Sequence, residues 1–200
     1  MNYRDILTAG SESLSRSIGL ATHLGTDIPN LTTDPTIRQN TLATRKERQF
    51  EVFKRLREPI AGYNCFGLVF ASRRTAIYWD NDAQDEIDLD QLLAEDGYGE
   101  IVSEDRWQVG DVVIYSDDRG PKHAAVITRF DYILHGGDSR VPVVLSKFGD
   151  LSGEYEHPMA VTTWDDFRFR SGALIIRVYR NRHEMPKGKP GSLWRGIVTP

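Results

Sequence analysis

Cysteine is nearly absent: Cys65 is the only one in 200 residues. That excludes an intrachain disulfide and removes any need for an oxidising compartment. No run approaches the roughly 20 apolar residues of a membrane span, and Met1-Asn2-Tyr3-Arg4-Asp5 leads into no apolar stretch of the kind an export signal carries. Excess positive charge is missing too, since a net charge of −4 and a pI near 5.7 give no electrostatic footprint for nucleic acid or an anionic membrane. Close-spaced Cys or His pairs that would nucleate a zinc site are lacking, as is any internal repeat. What is there is a composition of 40% hydrophobic and 27% charged residues, which suits one domain with a sizeable core. The expectation is a cytoplasmic protein that uses no cofactor or metal and binds neither nucleic acid nor membrane.

Three regions follow from the texture of the chain. Residues 1–44 form an N-terminal extension rich in Ser, Thr and Gly, broken by Pro29 and Pro35, in which Leu14, Ile18 and Leu20 allow a short helix after Ser11. Residues 45–182 carry the main domain, and 183–200 form a basic tail rich in Pro and Gly. Within the domain, Phe50, Phe53 and Leu56 make an apolar stripe over Arg45–Arg57, which predicts an amphipathic helix ended by Pro59. Asn64 is a favoured N-cap and places Cys65 at the first position of a second helix, with Phe66, Val69, Phe70 and Ile77 at helical spacing. After an acidic stretch, Ile87 to Leu93 reads as a short helix stopped by Gly97-Tyr98-Gly99. Strands then take over. Val112–Tyr115 and Lys122–Phe130 read as a hairpin, and Pro142–Phe148 and Ala173–Tyr179 as two further strands. Helices ahead of strands give the expected class, α+β, with N-terminal helices packed on a mainly antiparallel sheet.

At the start of a helix the unpaired amides and the dipole favour negative charge, so a thiol at Cys65 is expected to have a lowered pKa. The competing reading is a buried structural cysteine. A thiolate nucleophile needs a base within reach and a third group to orient that base. Five histidines are available. His123 opens a strand beside the small Ala124 and Ala125, whereas His23, His135 and His183 fall in irregular or tail segments. His157 follows the third strand in a turn bounded by Gly153. Cys65, His123 and His157 have the residue types of a zinc set but not its spacing, so metal ranks below thiol chemistry.

Tyr63-Asn64-Cys65-Phe66-Gly67-Leu68-Val69, then Gly110-Asp111-Val112-Val113-Ile114-Tyr115, then His123-Ala124-Ala125-Val126-Ile127 resembles the NlpC-type branch of the papain-like cysteine hydrolases, over about Ala61 to Phe148. Asn64-Cys65-Phe66-Gly67 stands where that family commonly has Asp-Cys-Ser-Gly. The resemblance implies a papain-like fold, Cys65 as nucleophile, His123 as general base and acid, and a third polar residue, for which His157 is the choice and Ser146, Lys147 and Glu156 the rivals. Tyr63, Asn64 and Ser146 are candidate oxyanion or substrate-binding groups. A peptide or other amide would be the substrate. An acyltransferase on the same site and an idle binding module are the alternatives. The Cys65 sulfur and the His123 imidazole are expected on one face of the sheet, within about 4 Å.

Overall fold

The structure, a computed structural model, describes residues 15–33, 53–79, 88–133, 139–160 and 174–182. Strands dominate them: β1 (Ser15–Arg16), β2 (Asn30–Thr33), β3 (Lys54–Arg57), β4 (Ala76–Ile77), β5 (Tyr98–Glu100), β6 (Val112–Asp117), β7 (Gly120–Ile133), β8 (Ser139–Lys147), β9 (Glu154–Pro158) and β10 (Ile175–Asn181). Two α-helices occur among the described residues, α1 (Cys65–Phe70) and α2 (Leu89–Glu95). Seven strands make an antiparallel sheet in the order β3-β9-β8-β7-β6-β10-β5, and β1-β2-β4 make a small second sheet.

The protein is therefore β-rich, which overturns the expected α+β papain-like architecture with helices laid N-terminally on the sheet. The segment read as a helix over Arg45–Arg57 ends as β3, an edge strand in which Lys54, Arg55, Leu56 and Arg57 are all exposed. A charged edge discourages further pairing and has no need of a buried stripe. Residues 45–52 lie outside the described residues, as does the 183–200 tail. Ile18 and Leu20 lie in extended chain after β1 rather than on a helix. Ile77 belongs to β4, because α1 ends at Phe70 and the chain turns through Ser72 and Arg73 at φ values of 49° and 66°. His157 lies in β9, not in a loop.

Alternation sorts the large sheet into two faces. Val112, Ile114, Ala124 and Val126 cluster with Cys65, Phe66 and Val69 of α1, with α2, and with Leu20 and Ile28. This is the helix face. Val113, Tyr115, Ala125 and Ile127 cluster with Val144 and Val178 on the far face. The Gly110-Asp111 pair fixes where β6 begins: Gly110 takes a φ of 96°, and the buried Asp111 carboxylate receives Arg180 Nε at 2.7 Å, Arg180 Nη2 at 2.8 Å and the Gln108 amide at 2.8 Å.

Candidate thiol–imidazole site

Asn64 anchors the start of α1 with a single side-chain amide. Its oxygen accepts the Gly67 amide at 2.9 Å and the Ile77 amide at 3.2 Å, while Nδ2 donates to the Ile77 carbonyl at 2.6 Å. Cys65 is thereby held as the first residue of the helix, with the backbone amides of Ala124, Phe66 and Cys65 itself near enough to its sulfur to favour the thiolate. Burial nevertheless decides the charge. It pushes the thiol up to about 12, with Asp150 adding repulsion and the three amides opposing. The expected fall in pKa is thus reversed, because a helix terminus contributes about 0.3–1 kcal/mol, less than one pKa unit, whereas burial moves a group by up to about 3–5 units.

Two-residue alternation along β7 aims the amides of Ala125 and His123 at β6, and those of Val126 and Ala124 at β8. The sulfur lies on the helix face near the Ala124 amide.

His123 pairs with Tyr115, which puts its side chain on the far face. Its ring lies 5.5 Å from that of Tyr115 and stacks on Phe148 at 5.7 Å with an interplanar angle of 5°. Cys65 belongs to the helix-face cluster, so the expected approach on a single face does not form. The two groups leave the sheet on opposite sides. Burial, and next the His157 ring, hold the His123 imidazole well below the ordinary 6.5. His157 pairs with Val144 and shares the far face. Its Nδ1 donates to the Pro158 carbonyl at 3.0 Å, and Ser146 Oγ lies 2.8 Å from Nε2. Burial lowers His157 to about 4, against that Pro158 bond. His23 is exposed in a loop, and His135 and His183 lie outside the described residues.

The remaining candidates serve the scaffold. Tyr63 Oη donates to Glu154 Oε1 at 2.6 Å, and Arg73 grips the same carboxylate through Nε at 2.5 Å and Nη2 at 2.9 Å. The phenol is thus engaged rather than presented to a substrate. Lys147 is fully buried, its ammonium donating to the carbonyls of Ile60 and Ser152 and lying 4.7 Å from the Tyr63 ring centroid. Asp150 accepts from Tyr78 Oη at 2.5 Å, and burial raises its pKa. Sequence reasoning did not find the structural parts played by Phe148, Glu154, Arg73 and Asp150. Lys147 did carry a signal: it shares the inward parity of Val143 and Leu145 along β8.

No family model, curated protein or solved structure matches the chain. Among the described residues, no three His, Cys, Asp or Glu side chains converge as metal ligands, and no helix is long and apolar enough to cross a membrane.

Proposed function

We propose that the protein is a cysteine-dependent hydrolase of amides or related acyl compounds, with Cys65 as nucleophile and His123 as base and acid. The observation that supports this reading is the Asn64-capped start of α1, which holds Cys65 at the first helical position with the Ala124, Phe66 and Cys65 amides near its sulfur.

Both groups are neutral near pH 7, since burial raises the thiol and lowers the imidazole. The reaction therefore starts from thiol and imidazole rather than from an ion pair. As sulfur attacks the carbonyl carbon, its proton passes to His123, and the amides at the start of α1 receive the oxyanion. The imidazolium then protonates the leaving group, and the neutral ring activates water to break the acyl–sulfur bond. In an acyltransferase an amine or alcohol takes the place of that water. The burial of Cys65, 5% exposed, and its place on the face opposite His123 favour one rival, an idle domain that binds without cleaving.

Mixing the protein with a p-nitrophenyl ester and following nitrophenolate release and protein mass separates these readings. A burst of one equivalent with the acyl mass on Cys65 is expected. It should disappear in Cys65→Ser and slow at least about 100-fold in His123→Ala, the usual scale of a general base. Acylation of another residue, or none until the protein unfolds, would reject the hydrolase.

A further inference from the structure

We propose that the turn between β8 and β9, residues 148–153, is a lid over the start of α1, latched by the Tyr78–Asp150 hydrogen bond and controlling access to the Cys65 thiol. As a regulator of turnover it rests on the hydrolase reading above; the lid itself is read from contacts of its own. Cys65 is 5% exposed, so a reagent or substrate meets the sulfur only after something moves. The turn is fastened on both sides of Tyr63-Asn64-Cys65. On one side Lys147, the last residue of β8, donates to the Ile60 carbonyl at 2.7 Å and lies over the Tyr63 ring. The same ammonium donates to the Ser152 carbonyl near the other end of the turn. On the opposite side the Asn64 side chain bonds both backbone groups of Ile77, which stations Tyr78 beside the stretch that carries Cys65. Tyr78 Oη then donates to Asp150 Oδ2 at 2.5 Å. Asp150 is 6% exposed, and its charge is felt at the sulfur, where it opposes the thiolate.

The two ends of the turn are fixed and its middle is not. Phe148 stacks on the His123 ring, and Glu154, the first residue of β9, is gripped by Arg73 and Tyr63. Between them Gly149 takes a φ of 95°, a conformation that glycine adopts without strain and from which the chain can swing. Burial works against the Asp150 carboxylate, while the Tyr78 bond and the Lys147 charge work for it. Removing the Tyr78 hydroxyl therefore tips Asp150 towards water, and the turn with it. Short segments held between fixed points by few buried contacts are the ones that open locally while the rest of a fold stays closed. Once the turn lifts, the sulfur is solvated and its pKa returns to the ordinary thiol value of about 8.5.

Alkylation of Cys65 by iodoacetamide, followed as protein mass over a series of urea concentrations below the unfolding transition, tests the latch in the full chain. A lid exposes little surface when it opens, so the wild-type rate should depend weakly on urea, whereas reaction through global unfolding follows the full slope of the transition. Tyr78→Phe keeps the ring and loses the hydroxyl. It should alkylate about 10-fold faster at low urea, the scale of a buried hydrogen bond to a carboxylate. Asp150→Ala removes the same bond from its other end and should act alike; reaction proceeds from the open form, so the charge lost beside the closed thiol does not enter. A folded Tyr78→Phe or Asp150→Ala protein that alkylates at the wild-type rate overturns the inference, and so does a wild-type rate with the full urea slope. The ester assay answers separately for the hydrolase. Latch-dependent alkylation without any acyl group on Cys65 keeps the lid and rejects the hydrolase, whereas an acyl burst on Cys65 that both variants leave unchanged keeps the hydrolase and rejects the lid.

Discussion

Asn64 satisfies one donor and two acceptor demands at once, and no other side chain of its size does all three. Alanine supplies none of these bonds. It leaves the Gly67 and Ile77 amides and the Ile77 carbonyl unpaired in a buried site, so Asn64→Ala should cost about 2–3 kcal/mol in denaturant unfolding. A loss under about 0.5 kcal/mol would show that the clamp is dispensable. One residue along, Cys65 sets the pH behaviour of the proposed chemistry. The reaction needs a neutral His123, and that imidazole is held well below 6.5. The acid limb of kcat/KM should therefore lie below pH 6.5, with a plateau above it. An ion-pair mechanism would instead show rapid alkylation of Cys65 far into the acid range. The Asn-Cys start was legible in the sequence because capping is local. The raised thiol was not, because burial is set by Leu20 and Ile28 and by Ala124, which come from two distant segments.

Helix α1 and strand β4 approach so closely that a Cβ on Gly67 would stand 1.9 Å from the Thr75 carbonyl oxygen. That atom is backbone and cannot swing aside. Gly67→Ala should push α1 away from β4 at a cost of about 1–3 kcal/mol or more, and because Cys65 rides on the same helix, its thiol should react faster with small alkylating reagents while turnover falls. A variant with wild-type stability and thiol reactivity would contradict the packing. The charged mount beside it behaves differently. Arg73→Met leaves Glu154 buried with only Tyr63 and the 3.6 Å Arg57 contact, and should destabilise by about 3–5 kcal/mol. Elements with strong local signals were readable: the β6–β7 hairpin from its alternation and turn, and α2 from its leucines, although its Asp88 cap went unread. β3 and β9 were not. Both are short and rich in charge, and the spacing of Phe50, Phe53 and Leu56 imitates a helix where the described end of that stretch pairs with β9.

Across the whole molecule, the sequence marked Cys65, His123 and His157 but not the faces they occupy, since face assignment depends on cross-strand register, and a slip of one residue exchanges every side chain. The register that results buries two neutral imidazoles on one face, each against the Phe148 ring, and this couples the far face to global stability. In the unfolded chain each histidine binds a proton near pH 6.5; in the folded protein His157 does so only at about 4, and His123 is also held well below 6.5. The unfolded state therefore binds more protons throughout that interval. Stability is complete above pH 6.5 and is lost as pH falls towards the folded values. For His157 the fall from 6.5 to about 4 corresponds to about 3 kcal/mol, and His123 steepens the same slope. Glu154, whose pKa is lowered, withdraws its own contribution only in the carboxylate range beneath this. Urea titrations at pH 7.5, 6, 5 and 4 should show the unfolding free energy dropping at up to about 1.4 kcal/mol per pH unit per histidine. His157→Gln should remove one histidine's share of the slope while retaining the bond to Ser146. If His157→Gln and wild type lost stability in parallel across this range, the imidazole of His157 would have to be protonated, and thus solvated, in the folded protein.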